Sequence, residues 1–153
     1  MPDHRYSIAY QEALRAISDQ QKALDVLQSR ASAVASAGAV VTGLIGFGAG
    51  DQGPRIFGVL AIICLLAIVC LIGVIIWPRK EWRFNFLASS LQWNYIEGPN
   101  PLREDLMKRD LALHLEGYFK ANARHLDTFG VLLSAAIVLL LIDVSAVLFE
   151  IWR

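Results

Sequence analysis

Three apolar runs constrain this chain more than any other feature: Ala31–Gly50, Ile56–Trp77 and Phe129–Phe149. Crossing a bilayer core takes about 20 apolar residues at 1.5 Å rise, and each run meets that length. Inside hydrocarbon the backbone must satisfy its own hydrogen bonds, so such runs become helices. The expected fold class is an all-α integral membrane protein. It has three transmembrane helices, an amphipathic N-terminal helix and a cytoplasmic helical layer. Composition agrees: 56% of the 153 residues are hydrophobic and 18% are charged, against about 25% charged in soluble domains. A polar segment precedes Ala31, so no secretory signal is expected at the start.

The segments follow from this reading. Residues 1–30 form the cytoplasmic amphipathic helix, and 31–77 form a transmembrane hairpin with spans 31–50 and 56–77. Residues 78–126 form a cytoplasmic or interfacial helical region. Residues 127–153 hold the third span and a short outer tail. Arg5, Arg15, Lys22 and Arg30 lie before the first span, and eight further Lys and Arg lie between Arg79 and Arg124. The other two connections hold only Arg55 and Arg153. The positive-inside rule puts the N-terminus and the long connection in the cytoplasm and the C-terminus outside.

Tyr10, Leu14, Ile17, Gln21, Leu24 and Ala31 recur at helical spacing and form a thin apolar stripe on the first helix. No Pro or Gly separates that helix from the first span, so one long helix can hold both. The first span carries two stripes of small residues. One is Ser32, Ser36, Ala39, Gly43, Gly46 and Gly50; the other is Ala31, Ala35, Gly38 and Thr42. Small residues at this spacing let helix backbones approach closely in lipid. The first stripe is the expected face for packing and homo-oligomerisation. Gly50-Asp51-Gln52-Gly53-Pro54 reads as a tight turn. The second span is apolar all round and is the expected lipid-facing helix. Pro78 ends it, and Trp77, Trp82 and Trp93 read as interfacial anchors. Asn100 and Pro101 read as the start of a helix that runs to about His125 and can continue into the third span, with Gly117 as its expected kink.

Asp143 stands out, because a charged residue at mid-span costs about 2.5–3.5 kcal/mol on insertion scales. Asp143 and Glu150 are seven residues apart and share a helix face. In an oligomer they can form a carboxylate ring that favours cations. The plainer alternative is interhelical glue, with Asp143 bonded to Thr42 or to a carbonyl that glycine exposes. Cys64 and Cys70 are about 240° apart around a helix and read as small apolar residues. His114 and His125 are better explained by helix packing than by a metal. Tyr118, Asn122 and Arg124 read as a solvated helix face with the Tyr packed beneath, or as contacts to a partner. No nucleophile–base pair, phosphate loop or metal motif occurs, so neither an enzyme nor a cofactor is expected. Basic residues alternate with acids, which speaks against nucleic acid.

Leu24-Asp25-Val26-Leu27-Gln28-Ser29-Arg30-Ala31-Ser32-Ala33 leads into the first span, and Val74-Ile75-Ile76-Trp77-Pro78 closes the second, followed by Trp82 and Phe84. Asn122 and Leu126 precede the third. In these residues and in layout the chain resembles the small bacterial membrane effectors of nucleotide-signalled antiphage defence, the Pycsar transmembrane effector and the related SLATT domain. The resemblance implies a cell inner membrane, no catalytic residues, and an effector triggered by an upstream sensor. The expected function is therefore an oligomerising effector that permeabilises or depolarises the membrane, with the bilayer, its own copies and a soluble cytoplasmic sensor as partners. The alternative is a non-conducting scaffold or accessory subunit that recruits a soluble partner through its cytoplasmic helices.

Overall fold

A computed structural model describes residues 4–48, 56–77, 82 and 102–152, apart from the side chains at 44–48, 57, 150 and 151. The described residues form three helices: α1 (His4–Gly48), α2 (Ile56–Ile76) and α3 (Glu104–Trp152). All are α-helical, in agreement with the expected class. The turn at 50–54, Gly50, Trp93, Asn100 and Pro101 lie outside the described residues.

The sequence explains the bounds. No proline interrupts α1, and its first glycine comes only at Gly38. The amphipathic segment and the first apolar run are thus a single helix. In α2 the last turn closes with the Trp77 N–H donating to the Gly73 carbonyl at 2.9 Å. Pro78 follows, and a residue before proline disfavours helix. α3 begins at Glu104 and not at Pro101. The Arg103 carbonyl accepts from the Met107 N–H at 2.9 Å, which makes Arg103 the N-cap. Glu104 and Asp105 then occupy the first turn, where their charge suits the helix dipole. α3 runs unbroken through Gly117 into the third apolar run.

The chain divides into two compact units: Met1–Leu24 with Arg79–Leu126, and Asp25–Pro78 with Asp127–Arg153. In the first, α1 buries Ile17, Gln20 and Leu24, and α3 buries Leu111, Leu115 and Asn122. Gln20 Nε2 donates to the Phe119 carbonyl at 2.9 Å. Two expectations change here. Leu14 and Gln21 are exposed, and Gln20 takes the inward position. In this unit the contact seam runs Ile17, Gln20, Leu24, a 3,4 spacing that a polar Gln20 disguises. Asn122 is buried and not part of a solvated face.

In the second unit α2 buries Gly58, Ala61, Cys64, Ile68, Ile72 and Ile75 along one stripe. Ile62, Ile63, Leu66 and Val69 are exposed on the other side. Among the described residues, membrane-length apolar stretches occur in two helices, within Gly58–Ile76 and within Glu104–Phe149, and only 28% of each is buried. The core helix of a soluble protein would be mostly buried. These two helices are compatible with insertion into a bilayer.

Candidate functional site

The inner small stripe of α1 is packed. Ala31 and Gly38 are buried, and Ala35 and Thr42 are half-buried. A Cβ at Gly38 would meet Leu65 Cδ1 at 3.3 Å, Ile68 Cδ1 at 3.6 Å and Leu140 Cδ1 at 3.7 Å. Glycine here lets α2 and α3 close on α1. One turn further along, Thr42 Oγ1 lies 3.2 Å from Asp143 Oδ2 and 3.4 Å from Oδ1. One hydroxyl proton thus bridges one carboxylate. From Gly38 to Thr42 the partners on α3 advance from Leu140 to Asp143, so the two helices run parallel in this unit.

Asp143 is 0% exposed. Buried Cys64 of α2 lies within electrostatic reach of its carboxylate. All three helices pack together one turn away, where Gly38 faces Leu65, Ile68 and Leu140. Among the described residues Asp143 makes no ion pair. A carboxylate offers about four acceptor positions, and a single neutral hydroxyl fills one of them. Such a contact fastens helices in lipid, where a polar group gains from any partner. It also holds a buried acid that has no ion-pair partner among the described residues.

A seven-residue recurrence marks the packed side of α3. Leu115, Asn122, Phe129, Ala136 and Asp143 are each below 2% exposed. This shared face points into the protein. Lining a pore would require Asp143 to leave Thr42. The Glu150 side chain lies outside the described residues.

The other small stripe behaves differently. Ser32, Ser36, Ala39 and Gly43 are exposed, and nothing lies within 4 Å of a Cβ at Gly43. Ser32 Oγ donates to the Gln28 carbonyl and Ser36 Oγ to the Ser32 carbonyl, each at 3.0 Å. On α3, Ser134 and Ser145 bond to the carbonyls of Gly130 and Leu141 in the same way. Back-bonding one turn up the helix lets an exposed serine face an apolar medium without an idle hydroxyl. Gly46 lies on α1, at a position whose exposure is outside the description.

Trp77 is 71% exposed. Trp82 is half-buried, with its ring centroid 5.6 Å from that of His125 at 55°. His114 Nε2 sits 3.6 Å from Asp110 Oδ2 on its own helix. Among the described residues no group of three or more His, Cys, Asp or Glu gathers for a metal. On α3, Lys120 bonds Glu116 at 2.6 Å and holds its exposed carboxyl below the usual range.

Three positions escape sequence reasoning. Gln20 hides behind a polar side chain, and spacing alone could have found it. Cys64 reads as inert, and only its burial places it on the packed side of α2. Trp152 is 89% exposed at the far end of α3 and matches Trp77 as an aromatic terminus. A search for aromatic girdles at both ends of each span would have flagged it. Comparison with protein-family models, curated proteins and solved structures gives no match.

Proposed function

We propose that this is a self-associating bacterial inner-membrane protein that acts on the bilayer as a permeabilising or depolarising effector. All three apolar runs cross, the N-terminus is cytoplasmic and the C-terminus lies outside. The observation that carries the reading is the bare outer stripe of α1. Ser32, Ser36, Ala39 and Gly43 leave a smooth exposed face beside a packed one. Lipid gains little from such a surface, whereas a second helix gains close dispersion contacts. The resting protomer is closed, with Asp143 fastened to Thr42. Association through α1 strains that contact and turns the acid toward a shared path. The resemblance at Leu24–Ala33 and Val74–Pro78 supplies the setting of antiviral defence, with a soluble sensor upstream.

Purified protein in liposomes tests this. Dye or ion leakage is expected, together with an oligomeric mass for the particle in nanodiscs. An intact membrane with no leakage at any oligomeric state sinks the idea.

A second reading is favoured by the enclosure of Asp143 inside one protomer. The protein then is a non-conducting scaffold whose cytoplasmic helices hold a soluble partner. Asp143→Asn separates the two. It changes ion flux under the first reading and only stability or assembly under the second.

A further inference from the structure

Within the unit formed by Met1–Leu24 and Arg79–Leu126, a half-open trough of about 380 Å³ separates α1 from α3. Ala9, Ala13 and Ala16 line it from α1 at 4,3 spacing, and Ala112 and Phe119 line it from α3. Methyl side chains on both helices leave the space that larger residues would fill. Two charged residues reach it, Arg109 and Glu116.

Their situations differ. Glu116 is committed to Lys120 at 2.6 Å. Elsewhere on this part of the chain Arg103 pairs with Asp105, and Lys108 pairs with Glu104. Arg109 has no carboxylate partner among the described residues. The trough is thus an alanine-floored channel with one uncommitted guanidinium. Its complement is one apolar chain with one negative charge.

Size decides the class of occupant. Ten of the described residues line the trough, whereas a stable protein interface takes about 20–30 residues a side. The volume falls instead at the lower end of small-molecule sites, roughly 300–1,000 Å³. At about 30 Å³ per group, near the share of a liquid water, it holds about a dozen methylenes.

We propose that this trough binds a long-chain carboxylate of about ten to twelve carbons, its chain along the alanines and its head on Arg109. The site is independent of how the protein acts on the membrane.

A dodecanoate carrying a diazirine on its chain is the probe, used on the full chain in phosphatidylcholine nanodiscs. Photolabelling followed by peptide mapping should mark the stretches around Ala9–Ala16 and Ala112–Phe119. Arg109→Gln should lower that labelling about tenfold, the effect of one lost charge-assisted pair, and leave labelling of α2 unchanged. Arg109 is exposed, so this variant folds. Excess dodecanoate should compete, and dodecanol should not. Labelling confined to α2 and the later half of α3 overturns the proposal. So does trough labelling that survives Arg109→Gln, or that dodecanol blocks as well as the acid does.

Discussion

Thr42 supplies the one hydroxyl that Asp143 receives, so the two side chains form a natural pair for mutation. Thr42→Val keeps the shape and removes the donor. Interhelical hydrogen bonds in membranes contribute about 0.6–2 kcal/mol. Leaving the acid without its partner adds the cost of an unsatisfied buried group, about 1–3 kcal/mol. Thermal unfolding in nanodiscs should therefore show a clear loss for Thr42→Val. Asp143→Asn should show a smaller one, because the amide oxygen still accepts from Thr42. Equal losses would mean that the hydroxyl is not what Asp143 relies on. Gln20 predicts the opposite sign. Its Oε1 is buried with no hydrogen-bond partner among the described residues. Gln20→Met fills the same volume and removes that idle acceptor, so stability should hold within about 1 kcal/mol or rise. A larger loss would show that Gln20 earns its place through the Phe119 carbonyl. Glu116 sets a mild pH dependence. Its folded pKa lies below the unfolded one, so its contribution is present above about pH 4.3 and fades as pH falls through the folded value. An NMR titration of its carboxyl should find the midpoint below that of an unpaired glutamate.

Along a helix the informative contrast is between Gly38 and Gly43, five residues apart on α1. A side chain at Gly38 meets Leu65, Ile68 and Leu140, whereas one at Gly43 meets nothing. Gly38→Ile should force the helices apart and cost about 1–3 kcal/mol, the usual range for overpacking. Gly43→Ile should leave the protomer as stable as before. If α1 also carries the contact between copies, Gly43→Ile reduces the oligomeric mass in nanodiscs without changing the fold. An unchanged mass would remove the outer stripe from any assembly. The elements themselves were legible in the sequence, because apolar length and the absence of proline are local properties. The continuity of α1 and α3 followed from the same reasoning. Facing was legible only where size or polarity varied. The two stripes of α1 could be drawn, but nothing local said which one packs. In α2 every residue is apolar, so hydropathy was silent about its buried side. Small size marks that side, at Gly58, Ala61 and Cys64. The Asp143–Thr42 contact was foreseen as one of two uses of the acid. Choosing between them needed the long-range register of α1 against α3, which no local pattern carries.

The molecule as a whole is constrained by that register. α1 runs parallel to α3 through the contacts of Gly38 with Leu140 and of Thr42 with Asp143. If the apolar half of α3 crosses a bilayer, the stretch of α1 beside it crosses in the same direction. α2 must then return between them, and the two ends of the chain face opposite compartments. Counting Lys and Arg leads to the same arrangement by an unrelated route, since the charges cluster before α1 and before α3. Single cysteines at His4 and Trp152, in a background with Cys64 and Cys70 replaced by alanine, make this testable. Trp152 is exposed at the end of α3, so Trp152→Cys should react on intact cells with a membrane-impermeant maleimide. His4→Cys should react only after the membrane is opened. Reaction of both on intact cells, or of neither, would mean that α1 and α3 do not cross together. The Thr42–Asp143 contact would then have to lie outside hydrocarbon, where water competes for the half-buried Thr42. A lone hydroxyl could not fasten the helices there, so the topology and the value of that hydrogen bond stand or fall together.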